Sequence, residues 1–595
     1  MEVAVLNQLL QCVFRNRHYD DTFFEKLNTE PYSYPKDTDK LCAILKYYHD
    51  IHGCLVLLTD FDMDGIACSV EGFAGLSELG FNVNLFLPSV KDGYGFTKNT
   101  IQQLLNQYPD CNCILTADVG ITCYDGIQYA RDHGVDVLVT DHHKPACDIP
   151  ANVVVDPSRA DDTTCFSGTS GSAVLYQVLL YYAEHYGTAF DIAQIRRLCV
   201  FAGFGTVSDG MPLYYENRPL VRDMLEVMKY VYGDGTRFNV DCIEGHPCYR
   251  RAFVGLYYLL KGFEEAGNYA FAEQPVNFQE DFIGFYVAPL FNSIKRMGMS
   301  VDMAYQIFFG SDPLKQVQQL MEVNESRKLL VQEKFDDIIS EKFPQPWAPY
   351  VYITDADGGI RGLLAQKLIE LTGEPVIVVA SDKDGYSGSG RCPDWYPFLE
   401  VAVSQYWHAA GHNQAFGVGF TNELGIDKLV AYLQQTIPQL RPDVSVSAWT
   451  PDFVVSMFND GDVGLDAELF DDYLQELPLY RPFGNGFAEP EGKLCIHTDF
   501  VEFSFMGATK QHVRMKLPQG ITVVCWNQSY LIRPFVKQMP ASPKDSEEGH
   551  LYPYFVSAGL PERIELCGKF GYNHYKGEDT IQFMGNILHE EEFEL

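Results

Sequence analysis

The sequence predicts an α/β chain: a doubly wound parallel sheet, then a second, smaller α/β unit reached through one long helix, then a small antiparallel barrel. Three observations predict it. Between Leu55 and Asp156, short apolar runs alternate with helix-periodic stretches, and each run ends in acids or histidines. Residues Pro313–Lys342 form one long amphipathic stretch. Beyond Leu479 the pattern changes to short alternating strands separated by turn residues.

Composition narrows the class. The chain has 595 residues, 46% hydrophobic and 21% charged, which is ordinary for a globular protein of several domains. No run approaches a membrane span and the start lacks a basic signal region, so a cytoplasmic protein is expected. The sixteen cysteines lie mostly in apolar contexts. Only Cys111 and Cys113 form a close pair, with the wrong spacing for zinc, so they read as reduced core thiols. The formal charge of -36 argues against a broadly basic nucleic-acid surface and confines any such grip to a local groove.

Taken in order, residues 1 to about 50 read as helices broken near Tyr32–Pro35. The buried strand from Leu55 ends in Asp60, Asp62 and Asp64, and Gly65 turns into a helix through Leu79. Three carboxylates within five residues repel one another unless a cation neutralises them. Read alone, the same residues also suit a capped Asp-Gly turn. Strands at Val83–Leu87, Cys113–Asp118, Val135–Asp141 and Asn152–Asp156 come next, with helices Lys98–Gln107, Tyr124–His133 and Gly171–Tyr186. Phe201–Pro212 reads as a glycine-rich turn that delivers Asp209. Ligands gather at the carboxyl edge of such a sheet, where Asp60, Asp62, Asp64, Asp118, His142 and His143 should emerge together. Carboxylates with a minority of imidazole suit manganese or magnesium better than zinc.

Asp60-Phe-Asp-Met-Asp64-Gly, Asp118, Asp141-His-His143 and Gly205-Thr-Val-Ser-Asp209 resemble, in order and spacing, the four motifs of the DHH phosphoesterase superfamily. The resemblance implies that Asp60, Asp62, Asp64, Asp118, His142 and Asp209 hold two divalent ions, Mn2+ or Mg2+. Asp118 would bridge them, and His143 would contact the scissile phosphate. Asp156, where related exonucleases usually carry Asn before Pro, ranks below Asp209.

Ala288–Arg296 resembles the RecJ stretch Ala-Pro-Arg-Ile-Asn-Ala-x-Gly-Arg, keeping Asn292 and Arg296 but carrying Leu290 for the first Arg and Lys295 for the Gly. The long helix, containing Asn324-Glu-Ser-Arg327, resembles the RecJ interdomain linker. Gly388-Ser389-Gly-Arg391 and Ala409-Ala-Gly411-His412 resemble the glycine signatures of the DHH-associated substrate domain, read as loops in which Arg391 offers a phosphate fork. The Pro482-Phe-Gly-x-Gly486 stretch and the His512–Lys516 strand resemble the RecJ OB-fold. There Lys510, Arg514, Lys516 and Arg533 are the expected grip on a single strand. Tyr480, Phe483 and Trp526 are candidate stackers, with Trp526 expected in the barrel core.

The resulting organisation is a helical segment (1–50), a catalytic domain (51–212), a helical connecting part (213–312), a linking helix (313–345), a substrate-binding domain (346–422), a connector (423–475) and an OB-fold-like domain (476–595). The function implied is a single-strand-specific 5′-to-3′ DNA exonuclease of repair and recombination that releases 5′-mononucleotides. Its substrate would be single-stranded DNA, with RNA left open, and helicases or single-strand-binding proteins would be candidate partners. Two alternatives stand beside it: a phosphodiesterase of short oligonucleotides or cyclic dinucleotides, which the acidic charge favours, and a non-catalytic nucleic-acid-binding relative, against which the intact acids argue.

Overall fold

The computed structural model describes residues 7–27, 33–87, 95–233, 243–271, 276–340, 342–383, 385–402, 404–411, 413–441, 450–457, 463–507, 510–538, 554–556, 560–575 and 578–588. The chain forms two compact units: residues 30–447, and residues 1–29 together with 448–595.

The larger unit opens on a five-stranded parallel sheet of order β2-β1-β3-β4-β5. Its strands are β1 (Cys54–Thr59), β2 (Val83–Phe86), β3 (Cys111–Ala117), β4 (Asp136–Thr140) and β5 (Val153–Val155). Leu55, Val56, Leu57 and Leu58 of β1 are buried, as a central strand covered on both faces requires. The strand order reverses between β1 and β3, so the switch-point crevice opens where Asp60 and Asp118 leave the sheet.

Helix Met63–Glu78 packs against helices Gly171–Tyr186 and Cys199–Ser208. The last of these corrects the expected glycine-rich turn at Phe201–Pro212, which is helical up to Ser208. Its glycines serve helix packing. A Cβ on Gly203 would press into Met224, and one on Gly205 would fall inside van der Waals contact of Asp64 Oδ1 and Ser172 Oγ. Close approach between helices, rather than a turn, is what these two positions require.

Helix Pro313–Ile339 leads into a second sheet of order β6-β7-β8-β10-β9, made of β6 (Val351–Ile353), β7 (Val376–Asp382), β8 (Gly385–Arg391), β9 (Trp407–Gly411) and β10 (Ala415–Phe420). The Gly388–Arg391 signature, expected as a loop, is instead part of strand β8 between β7 and β10. Glycine is needed there because a side chain on Gly388 would press into the Val378 carbonyl, and one on Gly390 into the Phe416 ring.

In the other unit, helices Gln8–Asn16 and Asp21–Leu27 belong with the C-terminal sheet, so the stretch 1–50, expected as one segment, is divided between the two units. The Arg17 guanidinium donates to both oxygens of Asp452, at 2.5 and 2.6 Å, and Asn16 Nδ2 donates to the Asp452 carbonyl at 2.8 Å. The ten-stranded sheet here is mixed, a correction to the antiparallel expectation. Strands Val454–Ser456 and Gly492–His497, and strands Thr522–Cys525 and Glu578–Ile587, pair in parallel. The described cysteines carry no disulfide. No helix among the described residues is long and apolar enough to cross a membrane.

Candidate metal centre and arginine cluster

Each acid reaches the crevice by a different device. Asp62 caps the Met63–Glu78 helix, accepting the Gly65 N–H at 3.2 Å, so the helix-cap reading of this stretch holds as well. Asp64, in the first turn, accepts the Gly171 and Ser172 N–H groups at 2.7 and 3.2 Å, together with the Ser172 hydroxyl. Asp118 comes directly after β3 with a left-handed backbone, φ 59°, and the Gly171 position leaves room for its side chain.

His142 Nε2 lies 3.2 Å from Asp118 Oδ1, 3.8 Å from Asp209 Oδ2 and 4.0 Å from Asp64 Oδ2. Three groups of side chains place ligand atoms within 4.8 Å of one another: Asp60, Asp62 and Asp118; Asp64, His142 and Asp209; and Asp118, His142 and His143. Asp118 belongs to the first and last of these and stands between the first two.

The electrostatics call for a cation. Burial, then Asp62, pushes the Asp60 carboxyl up to about 7, and burial, then Asp64 and Asp62, pushes Asp209 to about 8. Burial holds Asp118 well above the usual range, with Asp64 next in effect, and raises Asp64 despite His142 and Ser172. Asp60 Oδ1 is buried and accepts no hydrogen bond from any described residue. Buried oxygens without donors, on acids that repel one another, fit hard divalent cations.

Asp141 enters the sequence motif only as its first letter, and the structure gives it a task. It accepts the Ile121 and His142 N–H groups at 2.9 and 2.8 Å, and lies 2.8 Å from His143 Nδ1. Burial would raise its pKa, but the His143 bond and charge and the backbone donors more than offset this, so it is lowered. In return, the bond to Asp141 lifts His143 to about 9. A charged imidazolium with its other nitrogen open to a ligand is the consequence. Asp156 is fully buried behind the pair. Its carboxylate accepts the Ser158 N–H, whose Oγ donates to the His142 carbonyl at 2.6 Å. Asp156 thus supports the motif from behind and enters none of the three ligand groups.

Of the expected substrate contacts, Asn292 Oδ1 accepts the Met63 N–H at 3.0 Å and ties helix Ala288–Arg296 to the acidic loop. Arg296 lies in a field of positive charge: burial, then Arg327 and Arg391, lowers it to about 10, and Asp62 acts in the opposite sense. Arg327, on the long helix, has no assignment from sequence because its spacing alone does not distinguish it from a solvated face. Its Nε donates to Asn324 Oδ1 at 3.0 Å. Arg391 donates to the Gly390 carbonyl and lies against Gly362, near the N-terminus of helix Gly358–Thr372. Arg296 and Arg391 near one helix N-terminus, with Arg327 adding positive charge, are the kind of arrangement that could receive an anion. Ser389 lies two residues before Arg391 on the same strand. Gly411 sits at the exposed end of edge strand β9, separated from β8 by β10, and His412 lies outside the described residues.

In the C-terminal unit, His512, Arg514 and Lys516 alternate along one strand and share a face. Arg514 stands opposite Ser504 and Val524, and Lys516 opposite Glu502 and Thr522. Lys510 and Arg533 are exposed. Phe483 is buried, and Tyr480 packs edge-on against Phe14. Trp526, expected in the core, is 52% exposed with its ring edge-on to His512 at 4.7 Å. It lies just past the end of strand Thr522–Cys525, where the in-and-out alternation no longer buries it.

A parallel sheet whose switch point gathers four acidic strand or helix ends and a histidine pair, joined by a long helix to a glycine-rich second sheet, is the arrangement expected of a DHH-type protein. The comparisons agree. The profile of the DHH family, N-terminal domain, matches residues 55–202, and that of the RecJ OB domain matches residues 461–586. Residues 55–202 are thus similar to a DHH N-terminal domain and residues 461–586 to a RecJ OB domain. The chain is 24% identical over 522 residues to the single-stranded-DNA-specific exonuclease RecJ of Thermus thermophilus, covering 85% of this chain and 68% of that protein. It is 23% identical over 482 residues to the protein of the same name from Bacillus subtilis, covering 78% and 54%. The crystal structure of Thermus thermophilus RecJ in complex with Mn2+ superposes with a TM-score of 0.69 at 20% identity, over 98% of this chain and 75% of that one. A crystal structure of exonuclease RecJ bound to manganese gives 0.52 at 22% identity, over 70% and 97%.

Proposed function

We propose that this protein is a metal-dependent, single-strand-specific DNA exonuclease that degrades 5′ to 3′, releases 5′-mononucleotides and serves repair and recombination. The observation that carries the reading is the meeting of two clusters within one unit, Asp60, Asp62, Asp64, Asp118, His142 and Asp209 on one side and Arg296, Arg327 and Arg391 on the other. Asp62 of the first group lies within the electrostatic reach of Arg296 in the second.

The acids and His142 would hold two divalent ions, Mn2+ or Mg2+, which when bound supply an activated water and stabilise the departing oxygen. The chain's own groups do the rest. Arg296, Arg327 and Arg391 hold the terminal phosphate and so set the first linkage against the acids. Asp141 keeps His143 charged and oriented toward the scissile phosphate, where its free N–H can donate to a non-bridging oxygen. Arg514, Lys516 and the exposed Trp526 are suited to backbone and base contacts with a longer strand.

The test is purified protein with Mn2+ or Mg2+ on single-stranded DNA and RNA labelled at either end, and on dinucleotides. Mononucleotide release from the 5′ end of DNA supports the reading. Preference for dinucleotides, which the net charge of -36 would suit, favours a short-substrate phosphodiesterase instead. Binding without cleavage would identify a non-catalytic relative.

A further inference from the structure

Helix Ala288–Arg296 carries Asn292, Lys295 and Arg296 at positions i, i+3 and i+4, which share one face. Asn292 fixes that face to the acidic loop through Met63, and Arg296 belongs to the arginine cluster. Lys295 goes to the acids. Its Nζ lies 4.3 Å from the ring centroid of Phe61, the buried residue between Asp60 and Asp62. Its charge acts directly on Asp60, opposing the effects of burial and Asp62. An aromatic face beneath an ammonium fixes the position of that charge.

Ionised, Asp60, Asp62, Asp64, Asp118 and Asp209 together with one phosphodiester would carry six negative charges and two divalent ions four positive ones, so a further cation seated beside Asp60 would offset charge where it grows during in-line displacement.

We infer that Lys295 is a catalytic residue whose ammonium, seated on Phe61 beside Asp60, contacts a non-bridging oxygen of the scissile phosphodiester and stabilises the charge that develops there. The inference rests on the exonuclease reading above. No bond to the lysine forms or breaks.

The test uses full-length Lys295→Met and Lys295→Arg. Methionine keeps an unbranched stem on Phe61 and removes only the charge. With saturating Mn2+ and a 5′-phosphorylated single strand, Lys295→Met should lose about 10- to 100-fold in kcat with KM little changed, and Lys295→Arg should recover part of it. Calorimetric Mn2+ affinity without DNA should be unchanged or tighter, because the removed charge repels the ion, and the thermal midpoint should hold. A Lys295→Met rate near wild type would overturn the inference. So would parallel losses of Mn2+ affinity, thermal midpoint and rate, which mark a structural brace. A wild-type protein that binds Mn2+ but releases no nucleotide would defeat the exonuclease reading and this inference with it, whereas an active wild type with an unaffected Lys295→Met defeats this inference alone.

Discussion

Gly205→Ala places one methyl group against Asp64, a member of the candidate metal-binding cluster. The new Cβ would lie inside van der Waals contact of both Asp64 Oδ1 and Ser172 Oγ, which themselves form a short hydrogen bond. Neither neighbour can yield easily, because Asp64 is also fastened to the Gly171 and Ser172 N–H groups and Ser172 to the Ala202 carbonyl. Overpacking a tight site and unmaking part of a buried carboxylate's hydrogen bonds should together cost roughly 2–5 kcal/mol. Displacing Asp64 also removes one member of the group it forms with His142 and Asp209. Mn2+ calorimetry and single-turnover cleavage should therefore both report the loss, with at least one ion bound about tenfold or more weakly if roughly 1.4 kcal/mol of the strain falls on that site. Ser172→Ala, which takes away one donor without adding bulk, should do less harm. Wild-type Mn2+ affinity and rate in Gly205→Ala would refute the close contact and with it the packing argument for this helix.

Arg391→Ala should weaken capture of a 5′-phosphorylated end by roughly 1.5–3 kcal/mol while Mn2+ binding is unchanged, and Arg391→Lys should restore only part because the planar fork is lost. Equal affinity for 5′-phosphate and 5′-hydroxyl ends in the wild type would contradict this. Replacing Arg514 and Lys516 by Ala should flatten the log–log salt dependence of single-strand binding by roughly 0.7 for each phosphate no longer neutralised, with cleavage of very short oligonucleotides kept; coincident slopes would remove that face from the grip. In the metal-free protein, Asp60 and Asp209 have carboxyl groups raised to about 7 and about 8. The folded state thus holds more protons than the unfolded one, and stability should fall as pH rises from about 4 to about 8. Denaturant titrations at several pH values check the direction, and Mn2+ binding near pH 7 should release protons, seen as a dependence of binding heat on the buffer.

The acids at the sheet edge are legible in the sequence because each one terminates an apolar run, and parallel strands deliver their C-terminal residues to one common edge. That logic locates Asp60, Asp118, Asp141 and the histidine pair. It fails at Phe201–Asp209, where glycines that allow helices to touch look the same in sequence as glycines that make a turn. The glycines of Gly388–Arg391 mislead in the same way, since a strand crowded by the Phe416 ring needs them as much as a loop does. Trp526 looks like a core residue because alternation shows that two faces exist without showing where a strand stops. Arg327 joins the site only through the packing of a helix far along the chain, and the pairing of residues 1–29 with the C-terminal unit has no local signature at all.

That pairing sets a timetable for biosynthesis. Arg17 and Asp452 are 435 residues apart in sequence, so the first helices leave the ribosome long before the carboxylate they bind exists. At roughly 5–20 residues per second they wait about 20–90 s, with Leu9, Leu10 and Val13 lacking the cover they have in the finished unit. Residues 54–209, which supply the whole acidic cluster, are all made within that interval, while the unit holding both the earliest and the latest residues is completed last. A stalled or prematurely terminated chain would therefore carry the completed acidic cluster together with a sticky, unfinished N-terminal segment.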